Sequence, residues 1–305
     1  MANDRLNVGA KVAIKKPQLN LLISSLQGSG YQTVGPRVRD NAITYASINA
    51  LEDLPQGYVS EQEPGFYRLT RAEHERYFDA APGPDSWKKF LFPPRSQLFE
   101  AHRENGRWRT NLPNEAPPKY AFIGVRPCEL AAIGVQDRVF MRDDFVDPIY
   151  KSRRENVLII AVSCTHPNST CFCTSMGTGP KATSGFDLSF TELEDAFLVE
   201  VGSEAGSSAL QPLELERTIA YRLQLAETEL EKAERSIQRR IEHTTMLPDM
   251  LLGNLDHPLW DQVGARCLSC TNCTQVCPTC FCWDVEDLAS LSGNSTRREG
   301  VGFML

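Results

Sequence analysis

The sequence predicts a mixed α/β (α+β) N-terminal domain, a long connecting helix and a small cysteine-rich C-terminal domain, on three observations. Two short apolar runs, residues 120–125 and 157–162, each lead directly to a cysteine. A stretch of helical periodicity covers residues 213–241. Six of the ten cysteines crowd into residues 267–282. The chain has 305 residues, more than the roughly 100–200 that one core usually serves. The expected divisions are 1–210 for the α/β domain, 211–257 for the helical arm and 258–305 for the last domain.

Taken in order, the first 115 residues hold strand-like runs broken by Pro and Gly, such as Gly57-Tyr-Val-Ser and Gly65-Phe-Tyr-Arg-Leu-Thr. Residues 120–125 are nearly all apolar, as in a strand buried on both faces. Arg126, Pro127 and Cys128 follow as a turn, and the apolar positions of 130–140 suit a helix. Residues 157–162 form a second buried strand, rich in β-branched side chains, and end at Ser163 and Cys164. With these two strands as parallel neighbours joined by the helix, Cys128 and Cys164 lie at carboxyl ends, where open α/β sheets place their ligands. Residues 186–191 and 196–201 suit an antiparallel hairpin, and 202–208 read as a linker. From 213 to 241, Leu215, Ile219, Leu223, Ala226, Leu230, Ala233, Ile237 and Ile241 recur every three or four positions, as on one face of a long helix. Glu214 and Glu216 near its start and Arg239 and Arg240 near its end suit the helix dipole. The helix reads as a packing arm, with a partner-binding surface as the alternative.

Composition narrows the function. At 41% hydrophobic and 23% charged residues the chain is globular rather than disordered or fibrous. A net charge of -7 opposes the counterion-releasing contacts that drive nucleic-acid binding. No basic segment precedes an apolar run at the N-terminus and no membrane-spanning stretch occurs, so a cytoplasmic location is expected. In a reducing compartment dense cysteines point to metal rather than disulfides.

Cys267, Cys270, Cys273 and Cys277, followed by Pro278, form CxxCxxCxxxCP. This is the bacterial ferredoxin run that holds [4Fe-4S] clusters, three close thiolates serving one cube and the fourth cysteine serving the other in two-cluster proteins. The small C-terminal domain is therefore expected to be ferredoxin-like. Zinc is the alternative, although its sites usually pair two CxxC knuckles a dozen or more residues apart. Cys280 and Cys282 follow closely, as ligands, lining or small buried residues. A second constellation is Cys128, Cys164, Cys171 and Cys173, sufficient in number for one more cube, with inert buried cysteines or zinc as alternatives. His166 is left out, since four cysteines complete the ligand count. Gly124 and Gly177 offer backbone donors to cluster sulfur or ordinary turns. Arg126 either tunes the charge beside Cys128 or forms a surface ion pair.

Several segments together, namely Gly30-Tyr31, residues 84–94 (Pro-Asp-Ser-Trp-Lys-Lys-Phe-Leu-Phe-Pro-Pro), Gly124-Val-Arg-Pro-Cys-Glu-Leu, Cys171-Phe-Cys-Thr-Ser-Met-Gly-Thr-Gly-Pro and the ferredoxin run, resemble the family of the sulfhydrogenase beta subunit and its anaerobic sulfite reductase counterpart. The resemblance spans about residues 10–285. It implies a subunit that relays electrons between a flavin-bearing, nicotinamide-linked partner and a hydrogenase or sulfite reductase catalytic subunit. It also implies that Cys267, Cys270, Cys273 and Cys277 bind one [4Fe-4S] cluster, with Cys128, Cys164, Cys171 and Cys173 as candidates for another. Family members continue into a second CxxCxxCxxxCP run, whereas this sequence ends at Leu305 after residues 292–298 (Ser-Gly-Asn-Ser-Thr-Arg-Arg), which read as an ordinary tail, so the chain reads as C-terminally shortened. Cys277 then completes the first cluster, or Cys280 or Cys282 substitutes.

Two function classes result. One is an iron-sulfur electron-transfer subunit of an oxidoreductase complex, with no catalytic residue of its own. The other is a zinc-stabilised scaffold without redox work. An independent enzyme is disfavoured by the lack of a GxGxxG fingerprint, a P-loop or an evident acid-base pair.

Overall fold

The computed structural model describes residues 5–113 and 116–302; the outer ends of the expected first and last domains, 1–4 and 303–305, lie outside the described residues. In chain order the strands begin with β1 (Lys11–Lys15), β2 (Gln32–Arg39), β3 (Ala42–Ser47), β4 (Tyr58–Glu63), β5 (Phe66–Arg71), β6 (Arg95–Glu104), β7 (Arg107–Asn111) and β8 (Tyr120–Val125). They continue with β9 (Met141–Arg142), β10 (Phe145–Val146), β11 (Val157–Val162), β12 (Leu188–Glu192), β13 (Ala196–Val201), β14 (Glu216–Arg217), β15 (Trp283–Ala289) and β16 (Ser295–Gly302). The α-helices are α1 (Gln18–Gly28), α2 (Lys88–Leu91), α3 (Pro127–Phe140), α4 (Pro148–Glu155), α5 (Glu204–Ala209), α6 (Ala220–Ser236), α7 (Leu247–Leu252), α8 (Leu259–Arg266) and α9 (Asn272–Val276). Among the described residues no helix is long and apolar enough to cross a membrane.

The chain divides into two compact units. The first takes the residues up to Asp85, then Lys119–Ala131 and Val157–Cys270; the second takes Ser86–Pro118, Ala132–Asn156 and the residues from Thr271 onward. Neither unit is one contiguous stretch, so the expected divisions at 210 and 258 do not coincide with theirs. The reason is that β16, distant in sequence from the β6 and β7 hairpin, belongs to the same sheet, and only tertiary pairing joins them.

The first unit holds an eight-stranded mixed sheet in the order β14-β1-β13-β12-β11-β8-β2-β3. Its centre is parallel: β11 pairs with both β12 and β8, and β8 with β2. β8 and β11 are buried from their second residues onward, which explains why they read as unbroken apolar runs. Leu19, Leu22, Ile23 and Leu26 of α1 join a core with Ile123, Ile160, Phe190 and Phe197. The expected hairpin forms as the antiparallel pair β12 and β13.

In the second unit a four-stranded sheet runs β15-β16-β6-β7. Phe140 stacks on Phe92 at 4.5 Å between centroids, lies 4.9 Å from Tyr150, and meets Phe281 edge-on at 4.8 Å. This aromatic group anchors the stretch that carries Cys280 and Cys282, because Phe281 lies between them in sequence.

Three local expectations are corrected. The helical pattern from 213 to 241 becomes a helix only over α6. Leu213 instead belongs to the sheet's core, and β14 pairs with β1, where Glu216 reaches Lys15 at 3.6 Å and Arg222 at 2.6 Å. Sheet-edge hydrogen bonds thus replace about two helical turns, and the expected single arm is α6 followed by the short α7 and α8. Most of the supposed linker 202–208 belongs to α5, capped by Ser203 and buried at Gly206 and Ser207. Residues 292–298, read as an ordinary tail, form a turn and the start of β16, whose partner β6 lies far away in sequence.

Candidate cluster-binding sites

The first site grows from the ends of two parallel strands. Ile123 of β8 faces Ile160 of β11, but Ala161 faces Val125, so Gly124 is an extra, bulged residue. It has φ +95°, and a Cβ there would lie 2.8 Å from the Phe78 ring and 3.2 Å from Pro36, so only glycine fits. Because side chains alternate along a strand, one extra residue reverses which of them point inward. Arg126 is accordingly 6% exposed. The expected surface ion pair is corrected: a guanidinium Nη2 donates to the carbonyls of Phe78 and Ala80, the latter at 3.0 Å. Its Nη1 is buried and has no hydrogen-bond partner among the described residues.

Helix α3 starts at Pro127, three residues earlier than the apolar pattern indicated, which places Cys128 in its first turn. There the helix dipole favours a thiolate, but burial, with Glu129, Cys164 and Cys173, outweighs it and the Arg126 charge and pushes the Cys128 thiol well up. Glu129 closes the turn by accepting from the Arg126 N–H at 2.8 Å. Cys164 follows β11, and its N–H donates to the Pro180 carbonyl at 2.9 Å, tying together the two ends of the loop that carries Cys171 and Cys173. Inside that loop the Asn168 N–H donates to Cys171 Sγ at 3.3 Å. Gly179 lets the chain pass the thiol of Cys173, since a Cβ there would sit 3.1 Å from its Sγ.

Cys128, Cys164, Cys171 and Cys173 line one cavity of about 210 Å³, together with Arg126, His166, Phe172, Met176 and the prolines 82, 127, 167 and 180. The four thiols surround a space: among the described residues no three His, Cys, Asp or Glu side chains converge tightly enough for a single metal ion. Burial pushes the Cys171 and Cys173 thiols up, so each holds its proton until a metal takes that place. Burial also opposes the Arg126 charge, but Cys164, Tyr45, Glu129 and Asp79 outweigh it and hold the guanidinium above its ordinary value. Four soft donors and a buried cation with an unused N–H suit an anionic, sulfur-rich group such as a thiolate-bound iron-sulfur cluster.

His166 lies at the edge of this site and is held by a carboxylate. Its Nδ1 is 2.9 Å from Asp79 Oδ1, and His74 Nε2 is 3.2 Å from Asp79 Oδ2.

The ferredoxin run spans the division between the units, which falls after Cys270. Cys267, at the end of α8, receives the Ser269 N–H at 3.3 Å on its sulfur. Ser269 and Thr271 have positive φ, 52° and 60°, as in a tightly coiled ligand loop. In the second unit, Cys273 sits in α9 and Cys277 closes it. Lys88, which is 1% exposed, donates from Nζ to the carbonyls of Cys277 at 2.8 Å and Cys280 at 3.0 Å. Gln136, equally buried, donates to the Pro278 carbonyl at 2.9 Å. Burial pushes the Cys277 thiol up, but hydrogen bonds with Thr279 and Cys280 and the Lys88 charge prevail and hold it below the ordinary thiol range. Cys280 is pushed up, first by its hydrogen bond with Cys277 and then by burial.

Lys88 and Gln136 were not legible as site residues. Lys88 lies in the Pro84-to-Pro94 segment, and its only sequence signal is a charge between Trp87 and Leu91.

Comparison with known proteins agrees with this chemistry. Residues 266–301, which include Cys267, Cys270, Cys273, Cys277, Cys280 and Cys282, match the 4Fe-4S dicluster domain. The chain is 33% identical over 203 residues to the sulfhydrogenase 2 subunit beta of Pyrococcus furiosus, covering 66% of this chain and 58% of that protein. It thus spans less than two thirds of that relative's length. No solved structure matches. The chain is thus similar to a sulfhydrogenase subunit beta and carries a 4Fe-4S dicluster domain, and its cofactors are [4Fe-4S] clusters.

Proposed function

We propose that this protein is an electron-transfer subunit that passes electrons between a flavin- or nicotinamide-linked partner and a hydrogenase or sulfur/sulfite reductase catalytic subunit, in the cytoplasm. The observation that carries the reading is the four-thiol cavity over a buried, incompletely bonded Arg126, in a chain that also contains a ferredoxin run. Two sites of this kind in one chain suit a relay better than a single structural staple does. The similarity to a sulfhydrogenase subunit supports the hydrogenase-type assembly.

Cys267, Cys270, Cys273 and Cys277 would hold one cluster, and Cys128, Cys164, Cys171 and Cys173 a second. A [4Fe-4S] cluster supplies reversible one-electron transfer. The chain's own residues fix the conditions for it. The thiols fix position, and the Asn168 and Ser269 N–H groups donate to sulfur. The apolar wall of prolines, Phe172 and Met176 limits water, and each of these acts on reduction potential. No side chain is assigned to substrate chemistry.

The test is iron and acid-labile sulfide per chain in protein purified without oxygen, with an EPR spectrum after dithionite reduction. About eight irons, with sulfide to match, is the expected result for two cubes. Zinc without sulfide would replace this reading with a metal-stabilised scaffold.

A further inference from the structure

Two buried side chains hold the loop that follows Cys277, and they differ in charge. Gln136 captures the Pro278 carbonyl, and Lys88 captures those of Cys277 and Cys280. Both are 1% exposed. The neutral amide shows that fixing this loop needs only a hydrogen-bond donor. A buried ammonium is far more costly to desolvate than an amide, and it persists where nearby negative charge compensates it. Among the described residues Lys88 forms no ion pair with a carboxylate, and the two residues whose carbonyls it holds, Cys277 and Cys280, both carry thiols.

Arg126 repeats the arrangement in the first unit. It is a buried cation bonded through its side chain to two backbone carbonyls, beside four thiols. A cation held by carbonyls keeps its full charge available, whereas one held by a carboxylate is largely neutralised by it.

From this we infer that Lys88 is the positioning and charge-compensating residue of the cluster bound by the ferredoxin run, and that it sets that cluster's reduction potential. The inference rests on the reading of Cys267 to Cys277 as cluster ligands. When one electron enters the thiolate-bound cube, no bond forms or breaks and the net charge becomes one unit more negative. A fixed positive charge therefore stabilises the reduced form more than the oxidised one. It gives the Trp87-Lys88 part of the Pro84-to-Pro94 segment a function, since Lys88 is buried along with Trp87 and Leu91, 2% and 0% exposed.

The experiment compares wild type with Lys88→Gln and Lys88→Arg. Iron and sulfide content is measured, together with the midpoint potential of the ferredoxin-run cluster from an EPR-monitored redox titration. Lys88→Gln retains a donor without charge, and Lys88→Arg retains the charge. The expected result is a more negative potential in Lys88→Gln with iron retained, and a potential near wild type in Lys88→Arg. Loss of iron in Lys88→Gln alone also supports the inference, because the charge is then needed to hold the cluster. A wild-type potential in Lys88→Gln, or equal loss of iron in both variants, overturns it and leaves Lys88 a loop-shaping residue. Cys273→Ser separates the two levels: unchanged iron and an unchanged spectrum in that variant remove the cluster reading itself.

Discussion

Cys171 and Cys173 illustrate how much one side chain's surroundings matter. In sequence they are two thiols in a Cys-Phe-Cys loop; in the fold they join Cys128 and Cys164, from two different strand ends, around one cavity. Arg126 gives that cavity an inward-facing positive wall, which a tripeptide Arg-Pro-Cys does not disclose. Replacing Cys171 or Cys173 by Ser exchanges a soft thiolate for a hydroxyl that binds iron poorly. Each variant should lose roughly half of the iron, up to about four atoms per chain, while the ferredoxin run's EPR signal stays unchanged. Unchanged iron in both variants would remove the second site.

Among the elements, α4 shows how a distant helix serves a site. Asp147 caps it, accepting from the N–H groups of Ile149 at 2.9 Å and Tyr150 at 2.8 Å, and Pro148 occupies the first turn. The cap fixes the helix that carries Tyr150, and Tyr150 packs on Phe140, which in turn meets Phe281 between Cys280 and Cys282. Asp147→Ala should cost about 1 kcal/mol of stability, as cap removal usually does. Urea unfolding of the cluster-loaded protein would read this as a lower midpoint with an unchanged slope. An unchanged midpoint would show that the cap contributes nothing. Helix α3 and strand β8 carry the other element-scale lesson: the Gly124 bulge and the early start of the helix together decide where Arg126 and Cys128 go.

For the whole molecule, stability against acid should depend on Asp79. Burial alone would raise its carboxyl, but the hydrogen bond and charge of His166, with Arg76 and His74, outweigh that and hold it below the usual carboxylate range. Arg126 and Glu192 also feel its charge. A carboxyl lowered on folding contributes stability that is present above its unfolded value, about 3.9, and is lost as pH falls through the folded one. Asp79→Asn should therefore be less stable at neutral pH and lose less on acidification. Urea unfolding of both proteins from about pH 6 to about pH 3 tests this. Equal losses in the two proteins would rule out the role given to Asp79. Glu192 acts in the opposite sense: burial raises its carboxyl, so its contribution is lost as pH rises through the folded value.

The sequence by itself determined what local chemistry and periodicity encode. The apolar runs that became β8 and β11 were legible because a strand buried on both faces must be apolar throughout. The hairpin was legible from two short apolar runs with a polar stretch between them, and the ferredoxin run from spacing, since a cube admits few cysteine separations. Only the tertiary structure decided features that depend on partners far away in the chain. Residues 213–219 have helical periodicity but yield to a sheet edge, and residues 295–302 lack a clear strand pattern yet pair with β6. Lys88 looks like any surface lysine until the Cys277 and Cys280 carbonyls close over it. The reason is physical: hydrogen bonding within a segment and side-chain periodicity are written in neighbouring residues. Burial, charge compensation and the meeting of thiols from separate loops arise only when distant segments are brought together.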